Sequence, residues 1–542
     1  MHVLSAQEMQ ACDRATTERF GVPSIDLMRS AAAAVATMAR EQFPHARRIT
    51  VLCGRGNNGG DGMMAARLLA SAGLEVTTLL LAAPKDLRGD AAVAWQELAS
   101  PPHGLIHVVN EAEDLTRHVG ALNADLIIDA VLGTGFKPPI KGLALAALEW
   151  VRTSTAPILA VDLPSGWPAD DTRTAVDTPV FPADAVVTFT APKPAHVFGQ
   201  LTRRWNQPIV VAPIGSPDAA VVSALGIEWA GSAHALTEAP RPASSHKGNF
   251  GHVLVVGGSV GKSGAPAMAS LAAMRAGAGL VTAAVPAPVL AQVASAAPEL
   301  MTHSLAATPA GRIAAENLAP ELLAELTEGI TVLAIGPGLG QSPETVKFAT
   351  GLLSTTRMPS VIDADALNIL AAKPVLLAKL AKGRTLVLTP HPGEMARLAG
   401  TTTVEVQANR LEMARNFARR VGVTLVLKGS RTLIAHPDGR VAVNTSGNPG
   451  MAKGGSGDLL TGLVAGLLAQ YPDEPGRAVE AAVYLHGLAA DLAVSDGNEH
   501  TLLATDSLSK LSQAFCFRSR GGNGYVWLQG ASHAAAPFEA EA

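Results

Sequence analysis

The chain has 542 residues, 48% hydrophobic and only 16% charged, with 52 Gly and 36 Pro, which is too long for one core and too apolar for a disordered or coiled-coil protein. A net charge of −4 without any basic block argues against nucleic acid as a partner. Three scattered cysteines, Cys12, Cys53 and Cys516, make neither a disulfide framework nor a zinc spacing and fit a reducing cytoplasm.

Residues 5–19 and 24–41 are expected to be helices, and the N-terminus shows no basic-then-apolar signal pattern. Residues 48–53 form a short apolar strand that runs into GRGNNGGDG (54–62) and a helix to about residue 72. Further strands are expected at 76–81, 124–129, 157–162, 185–189 and 209–212. Strands alternating with helices predict a parallel sheet covered on both faces. Gly54, Gly56 and Gly59 match the dinucleotide fingerprint, a weak signal alone. Asn57, Asn58 and Asp61 crowd a turn that a dehydrogenase keeps bare, and neither Glu75 nor Asp86 stands where the acidic ribose partner belongs. Three strands end in polar loops: at Asn57 and Asn58, at Asp129, and at Asp162 with Ser165. In an open α/β sheet these ends share one edge, where ligands bind. Any one such Asp is more often a helix cap; three together, beside Gly133–Gly135, indicate a site. Asn58, Asp129 and Ser165 offer only oxygen to a cation, which makes it a hard one.

The motifs GRGNNGGDG, IDAVLGTG (128–135) and VDLPSG (161–166), in that order, resemble the NAD(P)H-hydrate epimerase family from about residue 5 to about 215. The resemblance implies a Rossmann-like three-layer α/β/α fold. It also implies a hydrate pocket lined by Asn57, Asn58, Gly59, Gly60 and Asp61 and by Gly133, Thr134, Gly135, Phe136, Lys137, Pro138 and Pro139. Asp162 would be the acid/base group in contact with substrate, and K⁺ would sit at Asn58, Asp129 and Ser165.

Residues 213–245, Pro- and Ser-rich at both ends, mark a domain boundary. A strand at 252–256 leads to GGSVGKSG (257–264), which falls one residue short of a P-loop and leaves Lys262 a loop lysine. Strands at 280–285, 331–335, 360–363, 385–389 and 424–428 follow, most opening into polar or glycine-rich loops. His391, between two prolines, is rigidly displayed, though a lone histidine is more often structural; Lys428 suits a phosphate or open solvent. Gly454, Gly455 and Gly457 open a buried apolar helix whose longest run, 459–469, is too short to span a bilayer. Unpaired N–H groups at that helix start favour an anion. Asp458 at the same place is either a cap or a base for a hydroxyl beside the phosphate, and the positive helix end is expected to keep it ionised.

GGS (257–259) with SGAP (263–266), GPGLG (336–340), TPHPGE (389–394), LKGS (427–430) and KGGSGD (453–458) resemble the ribokinase-like family of ADP-dependent NAD(P)H-hydrate dehydratases, from about residue 235 to about 512. The resemblance implies that Ala265, Gly338, His391 and Asp458 contact the hydrate, with Asp458 catalytic. It places nucleotide on Lys428, Gly429, Ser430, Arg431, Thr432 and Gly457.

The expectation is therefore a two-domain α/β protein: an epimerase domain over 1–220, a ribokinase-like dehydratase domain over 235–515 and a loosely ordered tail over 516–542. Together they would interconvert R- and S-NAD(P)H hydrate (NADHX and NADPHX) and dehydrate the S form at the expense of ADP. K⁺ would serve the first domain and Mg²⁺ the second; a cytoplasmic homo-oligomer without membrane or nucleic-acid partners is expected. The alternative is a vitamin or sugar kinase carrying a non-catalytic N-terminal binding module.

Overall fold

Strand β1 (Arg48–Cys53) sends Val51 and Cys53 to one face of a sheet and Leu52 to the other, and every residue but the first is buried. The first face is covered by α2 (Ser24–Gln42) and α3 (Asn57–Ser71), following α1 (Ala6–Phe20); the second is covered by the helix Leu143–Val151. This gives three layers. The computed structural model describes residues 1–101, 104–495 and 497–530. It divides into a unit formed by Met1–Gly226 with the stretch from Arg518 onward, and a unit formed by Ile227–Phe517.

The first unit continues with β2 (Glu75–Leu80), β3 (Leu105–Val108), β4 (Leu126–Ala130), β5 (Ile158–Val161), β6 (Ala185–Phe189) and β7 (Ile209–Ala212), all parallel, in the order β3-β2-β1-β4-β5-β6-β7. The order reverses between β1 and β4, so the loops after these strands diverge and leave a crevice at their carboxyl ends.

The second unit holds β8 (Ile227–Trp229), β9 (His252–Val256), β10 (Leu280–Pro286), β11 (Met301–Leu305), β12 (Val332–Ile335), β13 (Ser360–Ile362), β14 (Leu386–Leu388), β15 (Thr424–Leu427), β16 (Leu433–Ala435) and β17 (Val441–Val443). Their order is β11-β10-β9-β12-β13-β14-β15-β16-β17-β8; the strands from β11 to β15 run parallel, and β16 turns back antiparallel. Helix α4 (Gly264–Ala276) packs on α5 (Ser456–Gln470) at close range, since a Cβ at Gly462 would stand 2.0 Å from the Ala269 carbonyl oxygen. Next to α5 runs α6 (Pro475–Ser495), long and apolar enough to cross a membrane but mostly buried within the unit as a core helix.

Two expectations about boundaries change. The second unit begins at Ile227, not 235, because β8 pairs with β17 and the buried Trp229 donates its Nε1 hydrogen to Thr445 Oγ1 at 2.8 Å. The loose tail expected over 516–542 contains an ordered strand, β18 (Val526–Gln529), antiparallel to β7. Strand β7 would otherwise be a bare sheet edge. Trp527 is buried against the first core, and Gln529 Nε2 donates to Thr202 Oγ1 at 3.2 Å and to the Gln207 carbonyl at 3.0 Å. Residues 531–542 of that expectation lie outside the described residues.

Candidate active sites

In the first unit the loops after β1, β4, β5 and β6 enclose a cavity of about 770 Å³. Glycine lets them close: a Cβ on Gly54 would lie 2.0 Å from the Val131 carbonyl oxygen, and one on Gly59 1.9 Å from that of Gly54. Asp162 follows β5 with φ 66°, a left-handed conformation uncommon outside glycine, held by its own N–H donating to the Val187 carbonyl at 2.7 Å.

A buried network surrounds that carboxylate. Asp162 Oδ1 accepts from Lys193 Nζ at 2.8 Å and from Thr188 Oγ1 at 2.9 Å, while Oδ2 accepts the Thr134 N–H at 3.1 Å. Lys193 is 2% exposed and also donates to Thr188 Oγ1 at 2.7 Å. His196 Nδ1 accepts the Lys193 backbone N–H at 2.9 Å, so the ring proton is on Nε2, which donates to the Asp162 carbonyl at 2.7 Å. Burial, with the Lys193 charge adding, pushes His196 down to about 4, so it is neutral. Burial opposes the charge on Asp162, but the Lys193 ammonium and the hydrogen bonds outweigh it and hold the carboxyl below its ordinary range. Asp61 goes the other way, pushed well up by burial and then by the neighbouring charges of Asp162, Asp13 and Asp90. One cavity thus holds two carboxyls displaced in opposite directions.

Behind it, Asp129 is fully buried. Its Oδ1 accepts from Ser165 Oγ at 2.6 Å and from the Val131 N–H at 3.2 Å, and its Oδ2 accepts the Ser165 N–H at 2.8 Å. Burial raises it to about 6 against these bonds, and among the described residues no cationic side chain pairs with it. Asn58 has its side-chain nitrogen buried without a partner. Exchanging the amide's N and O, which look alike in shape, would put an oxygen there instead. A buried carboxylate, a hydroxyl and an amide fit a weakly hydrated monovalent cation.

Of the residues expected to line the hydrate pocket, Asn57, Asn58, Asp61, Gly133, Thr134, Gly135, Phe136 and Asp162 line the cavity. Gly59 and Gly60 instead face Gly54 and Met28, making packing room, and Lys137, Pro138 and Pro139 are not on its wall. Lys193, Thr188 and His196 escaped the sequence reading. Thr188 lies within the strand at 185–189 and Lys193 and His196 follow it, so nothing local in the sequence ties them to Asp162.

In the second unit Asp363, at the end of β13, is 2% exposed. Its Oδ1 accepts from Thr389 Oγ1 at 2.7 Å and Lys428 Nζ at 3.0 Å, and its Oδ2 accepts from Thr461 Oγ1 at 2.8 Å. Lys428 Nζ also lies 3.9 Å from Glu394 Oε2 and faces the first turn of α5, where a Cβ on Gly457 would be 3.5 Å away. Lys428 is therefore held by carboxylates, with only part of its side chain open to solvent. Asp458 is raised to about 6, by burial first and then by the Asp363 charge, with Lys428 opposing. Desolvation and a like charge work against the positive helix end, and a value of about 6 still leaves Asp458 ionised at pH 7.

Ala265, Gly338 and Asp458 line one cavity of about 440 Å³ with Asp365, Asn368 and Glu394. Lys262 is on the same wall, its Nζ 3.5 Å from Asp365 Oδ2. His391 is not on that wall. It caps the helix Pro392–Ala399, its Nδ1 accepting the Gly393 and Glu394 N–H groups at 3.0 and 3.4 Å. In the loop after β15, Thr432 Oγ1 donates to the Gly429 carbonyl at 2.8 Å and Arg431 Nη1 to that of Thr445 at 3.0 Å. Ser430 is exposed. Burial lowers Arg431 to about 10, with Asp491 opposing. A carboxylate titrating near neutrality, a lysine and a glycine-rich helix start can together deprotonate a hydroxyl and neutralise a transferring phosphoryl group.

Residues 253–513 match the family described as NAD(P)H-hydrate dehydratase, and residues 24–195 the family described as YjeF-related protein N-terminus. The bifunctional NAD(P)H-hydrate repair enzyme Nnr of Moorella thermoacetica is 43% identical over 524 residues, 94% of this chain and 96% of that one. The protein of the same name from Escherichia coli (strain K12) is 36% identical over 511 residues, 94% of this chain and 93% of that one. A solved ADP/ATP-dependent NAD(P)H-hydrate dehydratase from Bacillus subtilis, co-crystallized with ATP/Mg²⁺, covers 54% of this chain and 99% of its own at 34% identity, with a TM-score of 0.46.

Proposed function

The chain belongs to the family of bifunctional NAD(P)H-hydrate repair enzymes, and from that premise we infer how its two units divide the work. It epimerises R- and S-NAD(P)H hydrate and dehydrates the S form to NAD(P)H at the expense of ADP. The kinase alternative with a non-catalytic first unit is set aside, because relatives matching both units along nearly their whole length are repair enzymes.

Epimerisation falls to the first unit, with Asp162 moving the proton. The supporting observation is its pairing with the buried Lys193 at 2.8 Å inside the 770 Å³ cavity. Lys193 keeps the carboxylate charged, Thr134 and Thr188 fix its two oxygens, and His196 fixes the backbone behind it. Asn58, Asp129 and Ser165 would hold K⁺, whose charge would neutralise the buried Asp129.

Dehydration falls to the second unit. Water cannot leave C6 readily as hydroxide, so the hydroxyl is first made a phosphate ester. Asp458 takes the hydroxyl proton, its raised value of about 6 making it a better base than an ordinary aspartate while still ionised at pH 7. Lys428 and the amides opening α5 receive the phosphate oxygens, and Asp363 with Glu394 keeps Lys428 aimed. Mg²⁺, when bound with nucleotide, supplies further neutralisation of phosphate charge; Asp365, which accepts from Gly340 and Gln341, and Glu394, which accepts from the His391 N–H, are acidic groups on the cavity wall that would hold it.

The test is direct. Protein incubated with a mixture of R- and S-hydrated NADH should restore the absorbance of the reduced ring completely with ADP and not without it. Recovery that stops at the S fraction would remove the epimerase assignment, and no recovery would remove the dehydratase assignment.

A further inference from the structure

The first unit's cavity contains a carboxyl that no role above uses. Asp13 comes from α1, not from the loops at the sheet edge, yet it lines the cavity with Asp162 and Lys193. Helix α1 is firmly seated: Ser5 Oγ accepts the Glu8 N–H at 3.2 Å, Glu8 Oε2 accepts the Ser5 N–H at 2.8 Å, and Glu8 Oε1 accepts the Ala224 N–H at 2.7 Å. Met9, one turn before Asp13, is buried and lines the same cavity, so this face of the helix is turned inward. Asp13 Oδ1 is shielded from solvent and has no hydrogen-bond partner among the described residues. Buried polar atoms are almost always paired, so this one invites a ligand group.

We propose that Asp13 is a second catalytic residue of the epimerase site, giving a proton to the C6 hydroxyl of the hydrate while Asp162 takes one from the incoming water. The inference rests on the epimerase reading above. The Asp13 carboxyl protonates the hydroxyl oxygen; the C6–O bond breaks and its electron pair leaves on water. The N1 lone pair forms a C6=N1 double bond, and the ring carries one positive charge facing the Asp162 carboxylate. Water then adds through an oxygen lone pair to the other face of C6, the double-bond pair returns to N1, and Asp162 accepts the surplus proton. The substrate's composition is unchanged, and one proton has moved from Asp13 to Asp162. Proton exchange with solvent restores both groups.

The charged and titratable groups facing Asp13 are Lys193 from the loop after β6, Asp162 after β5, Asp61 on α3 and its own neighbour Cys12. Burial raises Asp13 first, Lys193 opposes and Asp162 adds, for a net upward shift that lengthens the pH range in which it keeps its proton. Two carboxyls displaced in opposite directions suit an acid and a base.

The experiment follows R-hydrate consumption, using the chain's own second unit with ADP to remove the S form. Asp13→Asn should lower kcat for epimerisation about 10²–10⁴-fold with KM changed less than about three-fold. The wild-type decline of kcat/KM at rising pH should vanish from the residual activity. Activity of a folded Asp13→Asn within about three-fold of wild type, or a loss confined to KM, would overturn the inference and leave the epimerase reading intact. A wild-type chain that does not epimerise overturns both. Should the variant not fold, the wild-type profile decides alone: a kcat/KM that does not fall with rising pH anywhere the protein stays folded means no proton-bearing group is needed, and Asp13 is not the acid.

Discussion

Asp162, at a strand end, and Asp458, in the first turn of α5, each line their own unit's cavity, and their surroundings push them in opposite directions. Asp162 is pulled down by a buried lysine, and Asp458 is pushed up to about 6 by burial and Asp363. Asp458→Asn should lower ADP-dependent dehydration about 10²–10⁴-fold and leave epimer exchange unchanged; Asp162→Asn should do the reverse, read by separate assays of each hydrate epimer. The same Asp458 substitution carries a stability signature. Its folded value of about 6 lies above the ordinary 3.8, so between the two the folded state holds a proton that the unfolded state lacks. Stability therefore falls as pH rises through this window, and above it the burdened charge is fully present. At pH 7 the ligand-free Asn variant should be more stable by roughly 1–2 kcal/mol in denaturant melts of the second unit, with the gain gone below the ordinary aspartate range. For the cation, epimerisation should slow when K⁺ is replaced by choline, and Asp129→Asn should abolish that dependence. The strand-end aspartates were legible because each closes an apolar run. Lys193 was not, since its partnership with Asp162 exists only once β6 lies beside β5.

At the scale of elements, α4 and α5 approach as closely as backbones can. Gly462 and Gly466 face the Ala269 and Ala273 carbonyls, and a methyl on Gly462 would stand 2.0 Å from an oxygen. Gly462→Ala should cost the second unit about 1–3 kcal/mol and bring its thermal inactivation forward, while the first unit's melting transition stays put. Helix α5 was readable from its glycine opening and apolar length, and β1, β9 and β12 from apolar runs buried on both faces. The short or lateral strands were not. Edge strands β3 and β11 are mostly half-exposed and show no apolar alternation. The three-residue strands β8, β16 and β17 lack the longer apolar run and polar loop that marked the equally short β13 and β14. Strand β18 lay hidden behind a Gly-rich turn that imitates a tail.

Across the whole molecule, the chain passes from the first unit to the second at 226–227 and returns at 517–518. Two complete strand–helix series predicted two halves separable within 213–245, but a protein stopped at 517 would leave β7 as an open edge and remove Trp527 from the first core. That shortened protein should keep the second unit's melting temperature and dehydratase rate, while its first unit melts earlier and self-associates, measurable by calorimetry and light scattering. Equal first-unit stability with and without β18 would contradict this. The order of synthesis then matters. On the ribosome the first sheet emerges early, waits with one edge unpaired while nearly three hundred further residues appear (227–517), and receives its closing strand near the end of translation. A late frameshift would consequently spare the reaction encoded second and injure the one encoded first.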